Sequence, residues 1–230
     1  MSNACRFRQL LGVFAAAIMC AEAGGKPKQT NPENTLCVHF YNLAAVPSET
    51  AQRATFRVAT VFARAGIRTA WEQPPIGSEE AHVLDLNDSV GSFRSNQRPC
   101  LVVVMVANLP AGAYHGALGF AVPHARFGIH VELVYQRIEL QAQRAGVADD
   151  VVLAYAMAHE IGHVLLDSSD HSPAGIMRGR ADVETWQMAS LGRMQFLPEE
   201  AKQMRNRLVL QKQLTVRKHE TISTRQIGGG

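Results

Sequence analysis

Apolar positions recur along the chain with more than one period, and each period predicts a different kind of element. Residues 36–44 (LCVHFYNLA) are mostly apolar over a strand's length, and order is expected to begin near Leu36. Ser48-Glu49 is followed by Ala51, Ala54, Val58, Val61 and Phe62, a three-and-four spacing that predicts an amphipathic helix ending before Gly66. IRTAWEQ reads as a second strand before the Pro74-Pro75 break, and His82 to Leu86 (HVLDL) as a third. Residues 100–107 are apolar without interruption, which suits a strand buried on both faces. The glycine- and proline-rich stretch ANLPAGAYHGALGFAVP is expected to be a long loop. Residues 127–135 (FGIHVELVY) then alternate, with Ile129, Val131 and Leu133 on one side and His130, Glu132 and Val134 on the other.

The next pattern is different in kind. QRIELQAQRAG ends at Gly146, Asp149 stands where a helix N-cap belongs, and Asp150 complements the dipole of the first turn. Residues 150–166 are apolar on almost every side, through Val151, Val152, Leu153, Tyr155, Met157, Ile161, Val164 and Leu165, so the helix they form should be central and buried. Beyond Met177, RGRADVETWQ looks irregular or weakly helical. Leu197-Pro198-Glu199-Glu200 starts a last helix expected to reach about Gln211, and residues 214–230 show no periodicity and are expected to form a mobile tail.

Composition changes this picture little. The chain has 230 residues, 47% of them hydrophobic, which suits one globular domain, taken as residues 36–213. A net charge of +3 without blocks of like charge points to no nucleic acid partner, and a monomer is expected. The amino terminus is more informative. Arg6 and Arg8 precede a short apolar run from Leu10 to Ala21, and Ala21-Glu22-Ala23 places small residues at minus three and minus one of a cleavage site after Ala23. Residues 1–23 are therefore expected to be a signal peptide, residues 24–35 an extended lead-in, and the mature chain secreted or periplasmic without a stable membrane span. Cys5 and Cys20 would leave with the signal. Cys37 and Cys100 both open strand-like runs, and in an oxidising compartment they are either a bonded pair or two buried thiols.

Within the apolar helix, His159, Glu160 and His163 stand out, since burying ionisable groups there is costly unless something pairs with them. Side chains four apart on a helix project from one face, so His159 and His163 form a pincer that suits Zn²⁺. Glu160 is turned away by about 100°, too far to share the metal but placed to act as the general base on a water. A catalytic zinc needs a third protein ligand and an open position. His171, eight residues after His163, is the candidate, with Asp167, Asp170 and Glu184 as alternatives.

HEIGH, a third His and then Met177 after Ser172-Pro173-Ala174-Gly175 together resemble the metzincin group of zinc endopeptidases. The resemblance implies an α+β fold, with a twisted mixed β-sheet packed on helices and a central zinc-binding helix. It also implies ligands His159, His163 and His171, the base Glu160, and Met177 as a hydrophobic floor beneath the metal. Metzincins place Gly three residues after the second His and the third ligand six after it, where this chain has Leu166 and Ser169. The expected activity is hydrolysis of peptide bonds in a peptide or protein substrate, which would pair with an exposed edge at FGIHVELVY. A secreted zinc-binding module without turnover, and a peptidase using Glu184 as third ligand, are the competing readings.

Overall fold

The computed structural model describes residues 34–72, 100–109, 116–123 and 130–227. The expected signal peptide, nearly all of the expected lead-in, the strand expected at 82–86, and Tyr114, His115 and His124 lie outside the described residues. The elements run β1 (Thr35–Asn42), α1 (Ser48–Arg64), β2 (Arg68–Glu72), β3 (Leu101–Val106), β4 (Gly119–Ala121), β5 (Val131–Val134), α2 (Tyr135–Ala145), α3 (Asp149–Leu166), α4 (Val183–Ser190) and α5 (Pro198–Ile227).

The strands form a five-stranded sheet in the order β2-β1-β3-β5-β4. All neighbours are parallel except β4, which pairs antiparallel with β5 at the outer edge. The fold is thus α+β with a mixed sheet packed on helices. Alternation along the strands decides what faces the helices: Leu36, Val38 and Phe40, Val103 and Met105, and Val131 and Leu133 join one core with Val58 and Phe62 of α1 and with α3. Tyr41, Val104 and Val134 are buried too but lie outside that core, so β1, β3 and β5 each bury residues on both faces. The uninterrupted apolar run at 100–107 called for such a strand.

Fifteen of the 18 residues of α3 are buried, as a helix apolar all round requires. It packs against α1, α2, α4 and α5 and against β4 and β5. Its first turn is fixed by charge. Asp150, 2% exposed, accepts from Arg53 Nε at 3.3 Å and Arg57 Nε at 2.6 Å, tying α3 to α1. Asp149 is the first helical residue rather than the cap, which is Ala148, and its carboxylate accepts from the Tyr135 hydroxyl at 3.4 Å.

Several expectations are corrected. Gly119–Ala121, placed in a loop, is a strand, and β5 ends at Val134 because helix geometry begins at Tyr135. The strand within FGIHVELVY, β5, is not an edge: it lies between β3 and β4, and the edge role among the described strands falls to β4. Of the two readings of the stretch after Met177, irregular or weakly helical, the helical one holds: it contains α4, started by Asp182, whose side chain caps Thr185 N at 2.8 Å. The last helix does not stop near Gln211 but continues to Ile227, through most of the expected tail. Its start follows the reading, with Pro198 in the first turn and Glu200 reaching back to accept from Leu197 N at 2.7 Å.

Candidate metal centre

His159 and His163 leave α3 one turn apart and point the same way. Each ring is oriented by a backbone carbonyl: Nδ1–H of His159 donates to Ile176 O, and that of His163 to Ser168 O, both at 2.8 Å. A carbonyl only accepts, so both protons sit on Nδ1 and both Nε2 atoms carry lone pairs. Burial holds His159 down to about pKa 4 and lowers His163 as well, keeping the rings neutral near pH 7. The two Nε2 atoms nevertheless stand 3.1 Å apart. With no proton for either to donate, two lone pairs at that separation repel unless a cation lies between them.

His171 completes the group. Its ring stacks 5.2 Å from that of His159 and lies edge-on 5.0 Å from that of His163, and one ring nitrogen from each of the three lies within 4.8 Å of the others. Tetrahedral ligation by imidazoles at 2.0–2.1 Å requires nitrogens about 3.3 Å apart, which the His159–His163 pair already meets at 3.1 Å, with the third donor within 4.8 Å. The alternatives do not join them. Asp167 pairs with Arg207 at 2.7 Å, the Asp170 carboxylate accepts from Ser168 Oγ at 3.0 Å, and Glu184 is exposed at the start of α4.

The departure at Leu166 has a local explanation. The chain leaves α3 through Asp167, whose φ of 56° and ψ of 37° place it in the left-handed region, and Ser168 N then donates to His163 O at 3.3 Å. The left-handed residue is thus an Asp one position beyond the expected Gly, a residue type that tolerates this conformation better than most. The chain returns through the turn Ser172–Arg178, where Ser172 N donates to Met177 O at 2.8 Å and Ile176 N to Gln195 O at 3.0 Å. Met177 is 1% exposed and packs beneath α3 at Gly162, where a Cβ would collide with its sulfur.

Glu160 faces a cleft of about 560 Å³ lined by the three histidines, Tyr155, Trp186 and β4. Burial raises its carboxyl to a pKa of about 7. A Cβ at Gly119 of β4 would lie 2.5 Å from Leu133 Cδ2 and 2.7 Å from Glu132 O, with Glu160 Cγ 3.2 Å away, so the glycine lets β4 pack closely on β5 beside Glu160.

Some contributors were not found from sequence. Tyr155 stacks on His159 at 6.1 Å, contacts Trp186 edge-on at 5.1 Å and donates to Arg178 O at 3.4 Å. Its spacing, four residues before His159 on the face that carries both histidines, was the available signal. Gly119 and Gly179 had none.

No protein-family profile and no curated protein matches the chain. Among solved structures it is similar to the crystal structure of archaemetzincin from Methanopyrus kandleri, at 14% identity and a TM-score of 0.46, over 80% of this chain and 98% of that one. At that level of likeness the metal centre stands on its own geometry.

Proposed function

We propose that the protein is an exported, metzincin-like zinc metalloendopeptidase. The observation that carries this reading is the pair of facing Nε2 lone pairs, joined by a third imidazole and opening on the cleft that contains Glu160. His159, His163 and His171 would hold the metal, which supplies Lewis acidity for polarising a carbonyl and activating a water. Glu160, with its proton affinity near neutrality, accepts the proton of the attacking water and returns it to the leaving amine. Met177 supports α3 from below, and Ile176 and Ser168 fix the tautomers. A substrate chain lies extended along β4, whose far edge is met by no other strand among the described residues. Export is supported by the basic and apolar start of the sequence and by the Cys37–Cys100 bond.

The test is zinc content and peptide cleavage of the oxidised wild type, Glu160→Gln and His171→Ala. Glu160→Gln should keep its zinc and lose roughly 10²- to 10⁴-fold in kcat. His171→Ala should lose zinc and activity together. A wild type that holds no zinc overturns the reading, and a Glu160→Gln enzyme as fast as wild type reduces it to a zinc-binding module without this mechanism.

A further inference from the structure

A second set of metal donors lies at the other side of the sheet. Cys37 and His39 stand two apart on β1 and project from the same face. Glu72 ends β2 directly opposite His39, and its carboxylate lies 3.7 Å from His39 Nδ1. Cys100 immediately precedes β3, beside Cys37 across the parallel β1–β3 pair, and is bonded to it. One donor atom from each of the four lies within 4.8 Å of the others. His39 is buried, and the other three are partly shielded.

We propose that this cluster is a redox-gated metal site: oxidised, it is the Cys37–Cys100 disulfide; reduced, it binds one Zn²⁺ through Cys37, His39, Glu72 and Cys100. The donor set is of the kind that selects zinc, two thiolates with one imidazole and one carboxylate. A tetrahedral zinc with Zn–S of about 2.3 Å and Zn–N or Zn–O of about 2.0 Å needs donors some 3.3–3.8 Å apart. Opening the disulfide lets the two sulfurs part to that spacing while the strands stay paired. The exchange balances: two equivalents of a thiol reductant cleave the S–S bond, giving two cysteine thiols and one external disulfide. Zinc then displaces both thiol protons to solvent. A disulfide oxidant reverses the sequence and expels the ion.

Either state joins β1 to β3, and the zinc state also reaches β2 through Glu72. Residues 73–99 leave directly after Glu72 and return directly before Cys100, so the site gathers both ends of that segment. A reduced chain would thus be clamped by metal at the point where an oxidised chain is clamped by sulfur. This site shares no residue with the histidine centre.

The test uses Co²⁺ on the full chain carrying Cys5→Ser and Cys20→Ser, so that Cys37 and Cys100 are its only thiols, since a thiolate-to-cobalt charge-transfer band in the near ultraviolet arises only from cysteine ligation and is silent for the histidine centre. Protein reduced with a phosphine should give the band and bind one more equivalent of metal than oxidised protein. His39→Gln and Glu72→Gln should each weaken that binding at least tenfold, while Cys37→Ser/Cys100→Ser should abolish the band. Added zinc should bleach the band, and a disulfide oxidant should release the ion. Absence of the band in the reduced chain, whether folded or unfolded by circular dichroism, overturns the proposal. So does a band indifferent to both His39→Gln and Glu72→Gln.

Discussion

Gly179 contributes no donor to the histidine centre, yet the position of His171 depends on it. A Cβ at residue 179 would stand 3.0 Å from His171 Cγ and 3.2 Å from its Cβ, and Gly179 has no positive φ that would itself forbid a side chain. Gly179→Ala should therefore displace the exposed third ring while leaving the core alone. Zinc affinity is expected to fall about 10- to 100-fold, the range typical of losing support behind a ligand. The thermal midpoint of the zinc-free protein should hardly move; competitive chelator titration and calorimetry check the two halves of this expectation. At this scale the sequence was most legible where periodicity speaks. His159, Glu160 and His163 stood out because they interrupt an otherwise apolar helix, and the structure brings the two imidazoles together beside a cleft lined by Glu160. Gly119 and Gly179 did not, because what a glycine makes room for arrives from elsewhere in the chain.

Helix α3 is placed by two buried attachments at its amino end. Asp150 lies between Arg53 and Arg57 of α1, both partly exposed. Asp150→Asn should weaken these charge-assisted bonds and destabilise the protein by about 2 kcal/mol, toward the low end because the freed guanidinium groups can turn to water. Urea denaturation measures it. The second attachment couples α2 to α3: burial, reinforced by the Asp149 and Glu139 charges, raises the Tyr135 phenol from 10.0 to about 12. The fold thus favours the protonated phenol, so its contribution is complete below pH 10 and is lost as pH rises through about 12. Stability should fall over that interval, and Tyr135→Phe should lose less of it, as denaturant midpoints at both ends would show. Elements with strong periodicity, α1, α3 and β3, were legible. β4 was not, since Gly-Phe-Ala within a glycine-rich stretch carries no alternation and owes its strand geometry to pairing with β5. The long α5 shows the converse, a helix continuing where no apolar stripe marks it.

Across the whole molecule, the Cys37–Cys100 bond closes a separation of 63 residues. Restricting an unfolded chain by a loop of that length is worth about 4 kcal/mol, so metal-free Cys37→Ser/Cys100→Ser protein should be less stable by that order in oxidising buffer. Equilibrium urea unfolding checks it, and an unchanged midpoint would mean the bond constrains little. Both cysteines could be seen to open strands, but whether they meet depends on the β1–β3 register, which local pattern does not specify. The same holds for the edge strand. A strand does form within the alternating stretch, at Val131–Val134, but whether it is interior or outermost depends on where β4 inserts, a question of topology.

Ile176 binds in both directions: its carbonyl receives the His159 ring, and its own N–H is spoken for by Gln195. Ser172, next to His171, likewise donates its hydroxyl to Glu200 at the start of α5. Synthesis proceeds from the amino end, so a growing chain possesses HEIGH some thirty-five residues before it possesses the groups that steady the turn behind it. A half-made protein therefore carries HEIGH before the contacts that fix the turn beneath it exist, and the three imidazoles can be brought to their final spacing only once α5 has begun.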